Sequence, residues 1–192
     1  PLVPAFHEAL FKHSDRHRVI VNIGGIANIT SLDPYHPIIG FDCGPGNLLM
    51  DAWCLRHTGK IYDNNGKWAI TGRIIPALLE ALLADYFFLR QPPKSTGRDL
   101  FNIQWLEKKL IGDEAPEDVQ ATLLQLTAIS IARSIHEYCP TAEEIYICGG
   151  GAHNTLLIKR LIDAIPGKAV ALTDQLGVAA DWVEAFAFAW LA

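Results

Sequence analysis

The sequence predicts an α/β fold: a mixed five-stranded sheet with flanking helices and a helical insertion. Three observations carry that prediction. Short β-branched or apolar runs come first in close succession, and then singly, each later one followed by a helical pattern. Glycine turns punctuate these runs at Gly24-Gly25, Gly44-Pro45-Gly46 and Gly149-Gly150-Gly151. Half of the 192 residues are hydrophobic and 19% are charged, which supplies one substantial core and excludes a disordered chain.

The elements follow in order. Residues 18–23, 26–32 and 38–42 read as strands, the first two joined through Gly24-Gly25 in "VNIGGIANIT". Gly44, Pro45 and Gly46 are expected to break the third strand. Asn47 can then cap a helix whose apolar stripe is Leu48, Leu49, Ala52, Trp53 and Leu55, ending near Gly59. Residues 59–73 read as a loop, Ile75 to Leu89 as a helix closed by Pro92 and Pro93, and "KSTGRDLFN" as another loop. A short helix over Gln104 to Leu110 precedes a long one from Pro116, where proline suits the first turn and Glu117 and Asp118 favour the positive end of the helix dipole. Residues 144–148 form a strand, the triple glycine a turn, and His153 to Ile165 a helix. A strand over Ala169 to Leu172 and a helix from Asp181 complete the order β-β-β-α, insertion, β-α, β-α. That alternation makes the later strands parallel, with helices covering the sheet.

Composition narrows the function classes. Net charge is −5 with Lys and Arg scattered, so the electrostatic footprint of nucleic-acid binding is missing. The longest apolar stretch, "IIPALLEALLADYFFL", is interrupted by Glu80 and Asp85 and reads as a core helix, not a membrane span. Cys43, Cys54, Cys139 and Cys148 form no CxxC pair and are expected to be reduced thiols, as in a cytoplasmic protein. His13 and His17 in "HSDRH" lack the glutamate and third ligand of a zinc site and are expected on the solvated surface. GxSxG is absent, which disfavours a serine hydrolase, and no GxGxxG follows the first strand, which disfavours a dinucleotide-binding domain. Met50 is the only methionine and "AFAFAWLA" ends without a polar turn, so the chain is expected to be a piece of a longer protein.

The glycine turns are the candidate site. Glycine lets backbone approach a ligand closely, and consecutive amides form concave nests for phosphate; each turn can equally be plain architecture. Asp42, at a strand end, can hold a magnesium-bound water or bond to backbone amides of its own turn. Asp181 and Glu184 have capping-box spacing, with a substrate contact from Glu184 as the alternative. Cys43 beside glycine is read as packing.

Taken together, "PLVPAFHEALF", "VNIGGIANIT", "GFDCGPGNLLMDAW", "PPKSTGRDLFN", "DVQATLLQLTAISIA", "ICGGGAHN" and "EAFAFAWLA" resemble the 1,6-anhydro-N-acetylmuramic acid kinase family, in that order and from end to end, over about the C-terminal half of the family's length. The resemblance implies one lobe of the actin-like ATPase (ribonuclease H-like) fold, shared with hexokinase and Hsp70. Residues 1–192 would be the C-terminal nucleotide-binding lobe, with the insertion at about 59–116 and the N-terminal lobe absent. It implies ATP and Mg2+ as cofactors. Gly24, Gly25 and Asn28 would form a phosphate-binding hairpin, and Gly149, Gly150, Gly151 and Asn154 an adenosine motif. Asp42, Gly44, Gly46 and Asn47 would line the cleft, with metal ligands unassigned. The implied reaction opens the 1,6-bridge of the anhydro amino sugar with water and phosphorylates the freed O6, a cell-wall recycling step in bacteria. The family's catalytic aspartate is expected upstream of Pro1, so these residues alone would bind ATP weakly and catalyse nothing. A non-catalytic ATP-binding or interaction module of the same fold is the alternative. Sugar specificity is not visible in these residues. The insertion could serve a homodimer contact or lobe closure, and Arg98 and Asp99 within it could simply pair on the surface.

Overall fold

The computed structural model describes residues 2–191 of the chain. Its strands are β1 (Arg18–Ile23), β2 (Ile26–Leu32), β3 (Ile39–Pro45), β4 (Glu144–Cys148) and β5 (Ala169–Leu172), in the sheet order β3-β2-β1-β4-β5. β2 runs antiparallel to β1 and β3, and β4 parallel to β1 and β5, so the sheet is mixed as expected. β1 is central and buried at Val19, Ile20, Val21 and Ile23, the pattern of a strand covered on both faces.

β3 runs further than the sequence suggested. Gly44 and Pro45 do not break it, because the register against β2 shifts there: Asp42 pairs with Asn28 and Gly44 with Ala27, leaving Cys43 as an extra residue. Such a bulge suits Gly44, whose φ of +144° is open to glycine and strained for other residues.

Helix α1 (Leu2–Phe11) packs on β2 over the sheet face that carries Thr30 and Gly40. Helix α2 (Leu48–Thr58) ends at Gly59 in the left-handed conformation, as expected. Asn47 does not cap α2: its side chain turns away and donates from Nδ2 to the Ile23 carbonyl at 3.4 Å.

The insertion is tied down by carboxylates. Asp63 accepts the amides of Trp68 (2.8 Å) and Ala69 (2.9 Å), which turns residues 64–71 into two short 3-10 turns. The helix expected over Ile75 to Leu89 is two, α3 (Pro76–Leu83) and α4 (Tyr86–Leu89). Asp85 explains the division. Its carboxylate caps α4 by accepting the Phe87 amide at 3.0 Å and also accepts the Trp105 indole N–H at 2.8 Å. Asn102 caps α5 (Ile103–Glu107) through the Trp105 amide. Arg98 and Asp99 are exposed and form no ion pair with each other.

Helix α6 (Pro116–Tyr138) starts at proline with Glu117 and Asp118 in its first turn, and buries Leu123, Leu124, Leu126, Ile131 and Ile135 in the core. It packs against β2, β3, α2, α3 and α7 (Thr155–Ala164). Helix α8 (Val183–Leu191) returns to α1, where Phe6 and Trp190 meet with ring centroids 6.1 Å apart. The capping box expected at its start does not form. Trp182 supplies the first carbonyl, to Phe186, while Asp181 pairs with His153 at 2.7 Å.

His17 is not on the surface. It is 7% exposed, with Nδ1 on Thr141 Oγ1 and Nε2 on Ser31 Oγ, both at 2.7 Å. The cysteines are free and buried, and burial pushes the Cys43 thiol up to about 12, which fits packing and not chemistry.

Thr127 fastens α6 to the end of β3. Its buried hydroxyl lies 3.0 Å from both the Pro45 and Gly46 carbonyls. Thr127→Val keeps the volume and strands those acceptors, so it should cost about 1–3 kcal/mol in denaturant unfolding. Thr127→Ser, which keeps the hydroxyl, should lose clearly less.

Candidate functional site

The topology brings the three glycine turns to one rim. β1 ends at the hairpin tip, parallel β4 ends beside it, and β3, antiparallel to β2, ends on the same side. In open α/β sheets this is the rim where ligands bind. Contacts between the turns are close. Gly46, Asn47 and Leu48 donate their amides to the carbonyls of Gly25 (2.9 Å), Gly24 (2.8 Å) and Gly25 (3.1 Å).

Space divides the glycines into two groups. A Cβ on Gly46 would stand 2.3 Å from the Gly24 carbonyl oxygen, one on Gly149 2.4 Å from Asn22 Oδ1, and one on Gly151 2.3 Å from Ile23 Cγ2. Gly149 also has a φ of +81°. These glycines let the turns touch one another. Gly46, buried and with its amide spent on Gly25, offers no donor to a ligand, contrary to the sequence expectation; Gly44 is buried in the bulge.

Gly24, Gly25 and Gly150 are different. None has positive φ, and an added Cβ would meet nothing nearer than 3.6 Å, 3.9 Å and 3.7 Å respectively. Gly25 and Gly150 are exposed. Neither Gly24 nor Gly25 spends its amide in the turn, and Gly150 opens a 3-10 turn (Gly150–His153), where an amide has no partner within the turn. The fold does not require glycine at these positions, and their amides are left without a backbone partner.

Behind the rim lies a cavity of about 480 Å³ between the sheet and helices α1 and α8. Across its floor runs a polar row set by register: Asn22 opposite Asn28, and Asn28 opposite Asp42. Asn22 joins cavity and rim, since it lines the one and touches Gly149 in the other. Sequence reading singled out Asn28 for the phosphate hairpin and Asp42 for the cleft, and missed Asn22; a lone amide in the apolar "RVIVNI" was the available signal.

Asp42 does not bond to its own turn. Its Oδ2 accepts the Thr96 amide at 2.8 Å, and its own amide donates to the Lys94 carbonyl at 3.1 Å. Burial raises the Asp42 pKa, and the Thr96 amide opposes that rise. Glu184 lines the cavity from α8, together with His7, Arg90 and Lys94, none of which the sequence singled out. Asn154 lies on the rim but is occupied as the cap of α7, accepting the Leu157 amide at 3.1 Å. Asn47 lies between the Ile23 carbonyl and Gly150. Among the described residues no group of three or more His, Cys, Asp or Glu side chains could hold a metal ion.

The sheet order and the rim define one lobe of the fold shared by sugar kinases and actin-like ATPases. Two solved structures are similar. One is the activator of the 2-hydroxyisocaproyl-CoA dehydratase from Clostridium difficile with bound ADPNP (TM-score 0.58, 13% identity, 97% of this chain and 63% of that one). The other is a xylulose kinase from Rhodospirillum rubrum (TM-score 0.56, 14% identity, 100% of this chain and 40% of that one).

The sequence comparison is more specific. The family model described as anhydro-N-acetylmuramic acid kinase matches residues 1–192, and the chain belongs to that family. Kinases of this description from Nitrosomonas europaea and Nitrosospira multiformis are 60% and 62% identical over 192 residues, with all of this chain covered. The chain spans about half the length of these relatives, 53% and 52%. No helix among the described residues is long and apolar enough to cross a membrane.

His7 makes the cavity wall sensitive to acid. It is 1% exposed, bonded through Nδ1 to Thr30 Oγ1 at 2.9 Å, and burial lowers its pKa from 6.5 to about 4. Between those values the unfolded chain binds the extra proton, so stability rises with pH and is lost as pH falls from 6.5 towards 4. The full difference is about 3 kcal/mol. Asp51 acts oppositely between 3.8 and about 6, since burial and then Asp63 raise its pKa. The His7 contribution is therefore read as a difference: across this window the wild type should lose about 3 kcal/mol more than His7→Gln in denaturant titrations.

Proposed function

We propose that the chain is the C-terminal, nucleotide-binding lobe of an ATP-dependent kinase of anhydro-N-acetylmuramic acid. The observation that carries this is the pairing of a rim of unhindered glycine amides with a cavity directly behind it whose floor carries Asn22, Asn28 and Asp42. The amides of Gly24, Gly25 and Gly150 cradle the phosphates, and Gly149 and Gly151 set the spacing that holds the turns together. Asn22 and Asn28 lie where the donor and acceptor sites meet.

Magnesium, when bound, neutralises charge on the phosphates during transfer. The donor set fits a magnesium held chiefly by phosphate oxygens and water, since magnesium keeps several waters and asks few protein ligands. Asp42 Oδ2 is engaged by Thr96, and Oδ1 is the oxygen left to accept from such a water. Glu184 accepts from a sugar hydroxyl across the cavity. His7, neutral near pH 7, contributes shape and a polar edge without charge.

The base that activates water belongs to the other half of the protein, so these 192 residues alone give no turnover. The completed protein acts in the cytoplasm, on the anhydro sugar released during cell-wall recycling.

The test uses a protein of the relatives' full length containing this sequence, assayed for phosphorylation of 1,6-anhydro-N-acetylmuramic acid by ATP. Gly25→Ala and Gly150→Ala should each raise the KM for ATP roughly tenfold, about 1.4 kcal/mol, while leaving thermal stability near the wild-type value. Gly46→Ala should unfold the domain or cost more than about 2 kcal/mol, because its Cβ meets backbone. ATP affinity unchanged in both exposed variants would remove the phosphate cradle.

A further inference from the structure

Asp51, in the first turn of α2, carries a half-buried carboxylate that no donor satisfies among the described residues. It forms no ion pair there either. Burial, and then the nearby Asp63 carboxylate, push its pKa up to about 6, the mark of a charge that lacks hydrogen-bond donors. Neighbouring carboxylates are treated differently by the fold. Asp63 is held by the amides of Trp68 and Ala69, and Asp118 by the Arg73 amide at 2.7 Å.

The backbone places Asp51 beside the glycine rim. Its amide donates to the Asn47 carbonyl at 2.8 Å, and Asn47 already has helical φ and ψ (−81° and −18°). Residues four apart in a helix share a face, so Asp51 stands one turn above Asn47. Asn47 in turn faces the rim: its Nδ2 lies 3.7 Å from where a Cβ on Gly150 would stand. The other neighbour of Asp51 leads back to the same place. Three residues after Asp63, a Cβ on Gly66 would meet Asn154 Oδ1 at 3.0 Å and Leu156 Cβ at 2.7 Å. Asn47, Asp51, the turn from Asp63 to Gly66, Asn154 and Gly150 thus close a ring. The Gly150 amide marks one point of it, and the unsatisfied carboxylate lies one helical turn away, about 5.4 Å. Asp63 stiffens the far wall, because its two amide bonds span the turn that carries Gly66.

A carboxylate in this position repels phosphate and calls for neutral donors. A vicinal diol supplies them, one O–H to each carboxylate oxygen, without bringing in charge. In a nucleoside triphosphate the group directly behind the phosphates is the ribose, and its spacing from them matches one helical turn. An acidic side chain beside a glycine-rich phosphate turn makes the same contact in dinucleotide-binding folds, which are unrelated to this one. We propose that Asp51 accepts the 2′- and 3′-hydroxyls of the ribose, so that the site selects ribonucleotides over deoxyribonucleotides. This deepens the nucleotide-binding reading given above and rests on it. The step is binding only; the two hydroxyls replace water on the carboxylate.

The experiment is calorimetric titration of ATP and 2′-deoxy-ATP, each with Mg2+ and without sugar, into the full-length protein. The wild type should prefer ATP by roughly 10- to 150-fold, the range for a hydrogen bond to a charged group. Asp51→Ala should bring that preference to within about twofold while leaving the affinity for 2′-deoxy-ATP near the wild-type value. Asp51→Asn, which keeps the shape and one acceptor oxygen, should retain part of the preference and guards against a folding defect in the alanine variant. Equal weakening of both nucleotides in the two variants, with the preference intact, would make Asp51 a structural residue and overturn the proposal. A wild type that binds both nucleotides alike would overturn it and leave the phosphate cradle standing. A wild type that binds neither would remove the cradle itself, and this proposal with it.

Discussion

The rest of the molecule depends on backbone meeting backbone at the tip of the β1–β2 hairpin. The carbonyls of Gly24 and Gly25 take the amides of Gly46, Asn47 and Leu48, and no side chain fits between the two turns. From that contact α2 receives its starting point, β3 its endpoint, and α6 its anchor through Thr127. On the other side of the hairpin, Gly149 and Gly151 press against Asn22 and Ile23, which fixes β4 and α7 to the same corner. Packing density here is set by absent side chains, so the tolerance for added volume is close to nil.

This constraint also organises the chemistry. The carbonyls of the hairpin tip are consumed by the second turn while the Gly24 and Gly25 amides take no backbone partner, so the tip is donor-rich. A surface with acceptors tied back and amides free has the polarity an anion requires. Asp42 keeps the regular register of residues 39–42 and so falls beside Asn28, in line with Asn22, on the floor of the cavity, while the bulge at Cys43 moves Gly44 and Pro45 on to Ala27 and Ile26.

Much of the fold was legible in the sequence. β1, β2, β4 and β5 lie where β-branched runs bounded by glycine put them, because those strands are continuous and central or closely capped. β3 was cut short since Gly44-Pro45-Gly46 carries every local signal of a breaker, and only the neighbouring strand shows that the bulge accommodates it. The helix expected over Ile75 to Leu89 carries only Glu80 and Asp85 among apolar residues, and its division at Asp85 involves Trp105, distant in sequence. The glycine turns were readable as a set. Their sorting into those that pack and those that stay bare was not, because that depends on what a Cβ would meet in three dimensions. Lys94 was invisible for a related reason: lysine between proline and serine looks solvated until β3 is seen to hold it.

The clamp between residues 94–96 and Asp42 has a consequence for colloidal behaviour. β3 is the outermost strand on its side, and such a border presents unpaired backbone groups on which another chain can assemble. Here the Asp42 amide is already engaged by Lys94, and Thr96 covers the adjoining carboxylate. At the opposite border β5 is only four residues long, too short to template much pairing. Residues 94–96 therefore occupy part of the border on which another chain would otherwise pair.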